Sequence, residues 1–167
     1  MHKILLLSDT HGYLDDPICK YAEQADEIWH AGDIGIVEVY DKLAKIKPIR
    51  AVHGNIDGTQ IRTICPENQI FECEKKKVWI THIGGYPPNY TPILKRRLQD
   101  IKPDIFICGH SHILKIIFDK EINVLHINPG AAGNSGLHKI RTLVRFSMDG
   151  DKIENMDVIN LGMRGLI

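Results

Sequence analysis

"KILLLSDTH", Lys3 to His11, is an unbroken apolar run that ends at once in a carboxylate and an imidazole. A strand with one wet face alternates polar and apolar residues, so a run without alternation reads as a strand covered on both faces. The same construction returns in "EIWHAGD" (Glu27–Asp33), "IRAVHGN" (Ile49–Asn55), "KVWITH" (Lys77–His82) and "DIFICGH" (Asp104–His110). Amphipathic stretches near Pro17–Gln24, Ile36–Ile46 and Thr91–Ile101 separate the runs and read as helices. Asp16 before Pro17 and Thr91 before Pro92 read as N-caps with proline at the first helical position. The order β-α-β-α-β then gives way to hairpins. Ile113–Phe118 and Asn123–Ile127 flank "DKEI", and Thr142–Ser147 and Lys152–Val158 flank "MDGD", whose Asp-Gly favours a tight hairpin turn. The expectation is one α/β domain over residues 1–167, parallel-rich in its first half and antiparallel in its second.

Bulk properties narrow the function classes. A chain of 167 residues buries roughly 70% of its unfolded surface in a single core. Lys and Arg number 21 and Asp and Glu number 21, for a net charge of zero, so no global field draws the protein to nucleic acid or membrane. The basic run "LKRRLQDIK" (Leu94–Lys102) reads as the solvated face of a helix, and long nucleic acid is not expected as a partner. Four cysteines, Cys19, Cys65, Cys73 and Cys108, are scattered without a CxxC pair. With no leader pattern and no long apolar span in the sequence, a reduced, cytoplasmic protein without a membrane partner is expected.

The polar residues that close the apolar runs carry the chemistry. They are Asp9 and His11, Asp33, Asn55, His82, and His110 with His112. In a mostly parallel sheet the C-terminal strand ends line one edge, where ligands collect. Taken singly, such residues are N-caps, Asx-turn residues or hydrogen-bonded histidines. Seven N and O donors on one edge need a common cause, and a binuclear metal site supplies it. Imidazoles, carboxylates and one amide suit manganese, iron, nickel, cobalt or zinc. The lack of cysteine in the set argues against a zinc–thiolate site. Two divalent ions bring four positive charges and Asp9 with Asp33 return two, leaving room for a hydroxide and a phosphodiester anion.

Asp-x-His, Gly-Asp, Gly-Asn, His and Gly-His-x-His, in this order, resemble the calcineurin-like metallophosphoesterase superfamily from Ile4 to about Gly130. The small size and "NPG" (Asn128–Gly130) resemble its compact branch of bacterial and archaeal phosphodiesterases, to which the small retromer subunit is a degenerate relative. The resemblance implies a four-layer αββα fold, a two-sheet β-sandwich flanked by helices. It also implies Asp9, His11 and His112 on one ion, Asn55, His82 and His110 on the second, and Asp33 bridging both. Asp33, Asn55 and His82 would be the catalytic residues, with Asn55 also orienting a phosphoryl oxygen of the substrate. The implied cofactors are two divalent metal ions about 3.5–4 Å apart, manganese first, with nickel, cobalt, iron and zinc as alternatives. A hydroxide bridging them would attack a small phosphodiester substrate.

Three places depart from the superfamily's usual pattern. "THIGG" follows His82 with Ile-Gly-Gly, Ala131-Ala132-Gly133 follow "NPG" where serine is common, and Ile56 stands after Asn55 where the superfamily commonly has a catalytic His. A positioned general acid is worth about 10²–10⁴-fold in rate, so isoleucine shifts the work to the metals and favours diesters with good leaving groups. The alternatives are a phosphomonoesterase or cyclic-nucleotide phosphodiesterase on the same site, and a retromer-like interaction scaffold with a vestigial metal site. His53 reads as a substitute acid or as a solvent-facing strand-end histidine, and Asp57 as a brace for the Asn55 loop or a helix cap. His138, in "NSGLHK" (Asn134–Lys139), is a candidate substrate contact. "GGYPPNY" (Gly84–Tyr90) reads as a rim over the site or a plain loop, and Trp29 and Trp79 as core. The tail "LGMRGLI" (Leu161–Ile167) packs on the sheet or on another subunit, and the oligomeric state stays open, a homo-oligomer included.

Overall fold

Alternation inside the apolar runs decides the layering. In β1 (His2–Leu7), Ile4 and Leu6 join one buried cluster while Leu5 and Leu7 join another. A strand directs successive side chains to opposite faces, so these clusters are the two sides of one sheet. The computed structural model describes residues 1–165. After β1 come α1 (Asp16–Glu23), β2 (Glu27–His30), α2 (Val37–Ile46), β3 (Ile49–Ala51), α3 (Thr59–Ile64), β4 (Asn68–Cys73) and β5 (Lys76–Thr81). They are followed by α4 (Pro92–Ile101), β6 (Ile105–Ile107), β7 (Leu114–Asp119), β8 (Val124–Pro129), β9 (Ile140–Asp149) and β10 (Lys152–Met163).

The strands form two mixed five-stranded sheets, ordered β10-β9-β1-β2-β3 and β4-β5-β6-β8-β7. Ile4, Leu6, Trp29, Val144 and Phe146 of the first sheet meet Val78, Ile80, Ile105, Ile107 and Ile127 of the second in a central core. On the first sheet's outer face, Leu5, Leu7 and Ile28 pack against Ile18 and Ala22 of α1, Val39 and Leu43 of α2, and Ile61 of α3. On the second sheet's outer face, Trp79, Phe106 and Val124 pack against Leu98 of α4. The result is the expected αββα sandwich. Its layers follow from runs that are apolar on both faces, because each sheet has a sheet on one side and helices on the other. Trp29 lies between the sheets, edge-on to Phe71 and Phe146. Trp79 lies in the outer layer, tilted against Phe106.

Local details depart from the sequence expectations. The cap of α1 is Asp15, whose carboxylate accepts from Ile18 N–H at 3.2 Å, so Pro17 takes the second helical position. Asp16 is already helical, because Asp15 in extended backbone closes the turn first. The short α3 and the strand β4 leave no strong signal in the sequence. The helix has six residues and no side-chain cap, and β4 is an edge strand with a single buried residue, Cys73. The second half is mixed and not antiparallel, since β6 pairs in parallel with both β5 and β8. "GGYPPNY" is a connecting loop whose Tyr86 and Tyr90 pack on His126. Leu161 of the tail packs on the helix-side core, while residues 166 and 167 lie outside the described residues. Among the described residues no helix is long and apolar enough to cross a membrane.

Burial also traps two histidines that take no metal role. His126 is fully buried beside Tyr90 and Cys108, and burial pushes its imidazole down to about 4. His30 is likewise pushed down to about 4 by burial. A group whose folded pKa lies below its unfolded value of about 6.5 withdraws stability as pH falls through that value. We expect the unfolding free energy of wild type, relative to His126→Gln, to fall as pH drops below 6.5. By pH 4 this difference should have changed by roughly 3 kcal/mol. Urea denaturation of both proteins across this range measures it, and parallel pH profiles would refute the assignment.

Candidate metal centre

The C-terminal ends of β1, β2 and β3 in one sheet meet those of β5 and β6 in the other, and all seven candidate ligands gather where they meet. Their loops are forced into unusual backbone. Of nine non-glycine residues with positive φ among the described residues, five are Asp9, His11, Asp33, His110 and His112. A left-handed conformation costs roughly 1–2 kcal/mol for an L-residue, and such strain collects where a site needs a side chain turned to one point. Close approach requires glycine beside both carboxylates. A Cβ on Gly54 would collide with the Asp33 carboxylate, and one on Gly109 with Ser8 Oγ and the Asp9 carboxylate. The Gly of "GN" and the Gly of "GHSH" therefore clear space for the two aspartates.

The donors fall into two groups with one carboxylate standing between them. Asp9, His11 and His112 form one, and Asp33, His82 and His110 the other. Asp9 Oδ1 lies 3.2 Å from His112 Nε2 and 3.7 Å from His11 Nε2. Asp33 Oδ2 lies 3.2 Å from His82 Nε2 and 3.6 Å from His11 Nε2, and so stands between the groups. Asn55 Oδ1 is 2.9 Å from His110 Nδ1, beside the second group. Asp9 Oδ1, His11 Nε2 and His82 Nε2 are buried without a hydrogen-bond partner. A buried polar atom left unpaired costs about 1–3 kcal/mol, and three that converge fit one demand: a cation between them.

Surrounding hydrogen bonds prepare each ligand. Each aspartate has one oxygen tied to the protein and the other presented to the centre. Asp9 Oδ2 accepts from Ser8 Oγ at 2.6 Å and His110 N–H at 3.1 Å, and Asp33 Oδ1 accepts from Ile56 N–H at 3.1 Å. His82 Nδ1 lies 2.7 Å from the Ala31 carbonyl. A carbonyl only accepts, so Nδ1 carries a proton there, and Nε2, which faces the carboxylates, is the nitrogen left for a metal once its own proton is lost. The same logic runs through two rings at His112. His138 Nε2 donates to the Gly133 carbonyl at 2.9 Å, which leaves His138 Nδ1 an acceptor for His112 Nδ1–H at 3.1 Å. The Nε2 lone pair of His112 is then free for a metal. His138, expected to touch substrate, instead stands buried behind His112 with both ring nitrogens engaged.

The electrostatics are coupled. Burial opposes charge on Asp9, but His11, His112 and His82 outweigh it and hold the carboxyl well below the usual range. The neighbouring Asp9 carboxylate raises His11. Burial pulls His82 down, yet Asp33 and Asp9 together leave it raised. In metal-free protein these imidazoles hold their protons more tightly than usual, and a bound ion must displace them.

A further layer supports the loops, most of it unread in the sequence. Asp57 is the brace: its carboxylate accepts from Ile34, Gly35 and Gly54 N–H, tying the Asp33 loop to the Asn55 loop. Arg62 of α3 locks the same turn through the carbonyls of Asp57 and Gly54. His30 bonds Thr10 Oγ1, which donates to the Ile34 carbonyl. Asn128, of "NPG", is fully buried and holds the "GHSH" loop by bonds to Gly109 O and Ser111 Oγ. Asn128 could have been noticed as a polar residue in an apolar strand, whereas His30 looks like any strand residue. A third donor cluster, His2, Glu27 and Cys73, sits at the opposite strand ends. There Arg50 Nε at 2.6 Å and His2 Nε2 at 3.2 Å already engage the Glu27 carboxylate.

Removing the buttress of His112 should loosen the centre. His138→Ala is expected to weaken metal affinity about 10–100-fold, read by calorimetric titration of Mn²⁺ into stripped protein. His138→Gln, whose amide oxygen can still accept the His112 proton, should recover part of the loss. Equal affinity in all three proteins would show that His138 does not orient His112.

The sequence matches the family model of the calcineurin-like phosphoesterase superfamily domain over residues 2–151. Among curated proteins no sequence match is found. Several solved structures share the fold. A structure described as a novel archaeal phosphodiesterase superimposes with a TM-score of 0.73 at 25% identity, covering 95% of this chain and 99% of its own. A Streptococcus pneumoniae protein predicted to be a phosphoesterase gives 0.70 at 23% identity, covering 95% and 89%. Wild-type Vps29 of Entamoeba histolytica, solved in complex with zinc, gives 0.76 at 15% identity, covering 95% and 98%.

Proposed function

The chain belongs to the calcineurin-like phosphoesterase superfamily, and we propose that it acts there as a metal-dependent phosphodiesterase on small phosphodiesters. One observation carries the proposal: Asp33 stands between two donor groups, 3.2 Å from His82 Nε2 and 3.6 Å from His11 Nε2, and the unpaired atoms Asp9 Oδ1, His11 Nε2 and His82 Nε2 converge beside it. Asp9, His11 and His112 would hold one ion, Asn55, His82 and His110 the second, and Asp33 both, with manganese the first ion to test. When bound, the pair supplies Lewis-acid stabilisation of phosphoryl and leaving oxygens and lowers the pKa of water. The protein's part is to hold the donors rigid, through Asp57, His138 and the Ala31 carbonyl, and to orient the substrate through Asn55. Likeness to a phosphodiesterase at 25% identity supports the choice of diesters.

Ile56 shapes the chemistry. Its backbone N–H holds Asp33 Oδ1, while its side chain is 46% exposed and offers no proton. No leaving oxygen can be protonated from this position, so esters of acidic alcohols are favoured. The test titrates Mn²⁺, Ni²⁺ or Co²⁺ into stripped protein with a bis-aryl phosphodiester. We expect metal-dependent turnover that Asn55→Ala reduces strongly; no turnover under any ion, or indifference to Asn55→Ala, would overturn the proposal. Ile56→His should raise monoester over diester turnover about tenfold or more, and an unchanged ratio would remove Ile56 as the determinant.

Likeness to Vps29 favours a second reading, an interaction scaffold. Turnover after reconstitution separates the two: that Vps29 structure itself holds zinc, so a scaffold would be a protein that takes up metal and hydrolyses no diester.

A further inference from the structure

A cavity of about 380 Å³ opens directly off the second donor group, with Asn55 and His82 in its wall. His53, Arg62, Glu67 and Arg97 line the rest of its polar surface. That volume lies within the usual range for small-molecule pockets. The position matters more. Asn55 and His82 themselves form part of its wall, so one arm of a diester bound there has a place to lie.

Charge decides which arm. Two guanidiniums face one carboxylate, and no ion pair joins them: neither Arg62, Arg97 nor Glu67 takes part in a salt bridge among the described residues. Arg62 is fixed by Nε on the Asp57 carbonyl and Nη2 on the Gly54 carbonyl. Its charge is thus placed at the turn that carries Asn55. Arg97 comes from the basic run of α4, which the sequence alone assigns to solvent. Its guanidinium instead lies over the Trp79 ring, 4.9 Å from the centroid, half-buried and without a hydrogen-bond acceptor among the described residues. A planar guanidinium held by stacking is pre-organised for an anion, and it binds phosphate through two parallel donors.

We propose that this cavity is a subsite for a second phosphoryl group on the substrate, contacted by Arg97 with Arg62 adding field. The substrate class becomes phosphodiesters of which one arm ends in a further phosphate. The proposal rests on the phosphodiesterase reading only for which anion occupies the metal centre; the second anion's contacts lie outside the metal ligands.

The test reads binding, so it does not depend on turnover. Ethyl phosphate and ethane-1,2-diol bisphosphate are titrated calorimetrically into Mn²⁺-loaded protein. The bisphosphate is expected to bind about tenfold or more tighter than the monophosphate, given charge-assisted contacts. Arg97→Gln should bring the ratio near one, and Arg97→Lys should restore part of it by returning the charge. Circular dichroism confirms that both variants fold. Equal affinities in wild type, or a preference unmoved by Arg97→Gln, would overturn the subsite. A protein with the preference but no diester turnover would keep the subsite and lose the proposed reaction. Turnover without the preference would do the reverse.

Discussion

The hydrogen bond from His110 N–H to Asp9 Oδ2 joins residues 101 positions apart in the chain. It also joins the two sheets, because Asp9 follows β1 and His110 follows β6. Everything at the centre depends on this approach. It turns the other oxygen of Asp9 inward and brings His112 to within 3.2 Å of it. It is also why Gly109 admits no side chain, since a Cβ there would occupy the space of Ser8 and Asp9. The central core holds the sheets at the distance this bond needs.

A consequence of this design is stored strain. Five candidate ligands adopt left-handed backbone, each at a cost the local sequence cannot recover. The compensation comes from non-local bonds. Asp57 ties two loops through three backbone N–H groups, and Asn128 holds the third loop from within β8. Charge follows the same pattern. Two buried carboxylates and several imidazoles stabilise one another in the absence of metal, and a divalent ion held by these donors would have to displace their protons. Arg62 and Arg97 line a cavity on the side of Asn55 and His82.

Much of this was legible in the sequence because strand periodicity and strand-end chemistry are local. The apolar runs named the buried strands, and the residues closing them named the seven donors. Three of the four helices, one of the two helix caps as read, and both hairpins could also be placed. What escaped had no local mark. The cap of α1 depends on which of two adjacent aspartates first reaches extended backbone. Helix α3 is short and uncapped, and β4 has its stability from pairing with β5. His138 looked like a residue that meets substrate, since a histidine in a glycine-rich loop carries no sign of what stands in front of it.

The sequence by itself determined the buried strands and the set of groups that close them, because alternation and donor type are written residue by residue, and the layered sandwich entered only through the resemblance that those motifs carry. Only the tertiary structure decided which nitrogen of each imidazole faces the centre, that Asp57 is a brace and not a cap, and that Arg97 lies half-buried over the Trp79 ring. Those outcomes depend on distances between segments far apart in the chain. Tautomers, bracing bonds and field directions exist only once the two sheets have met.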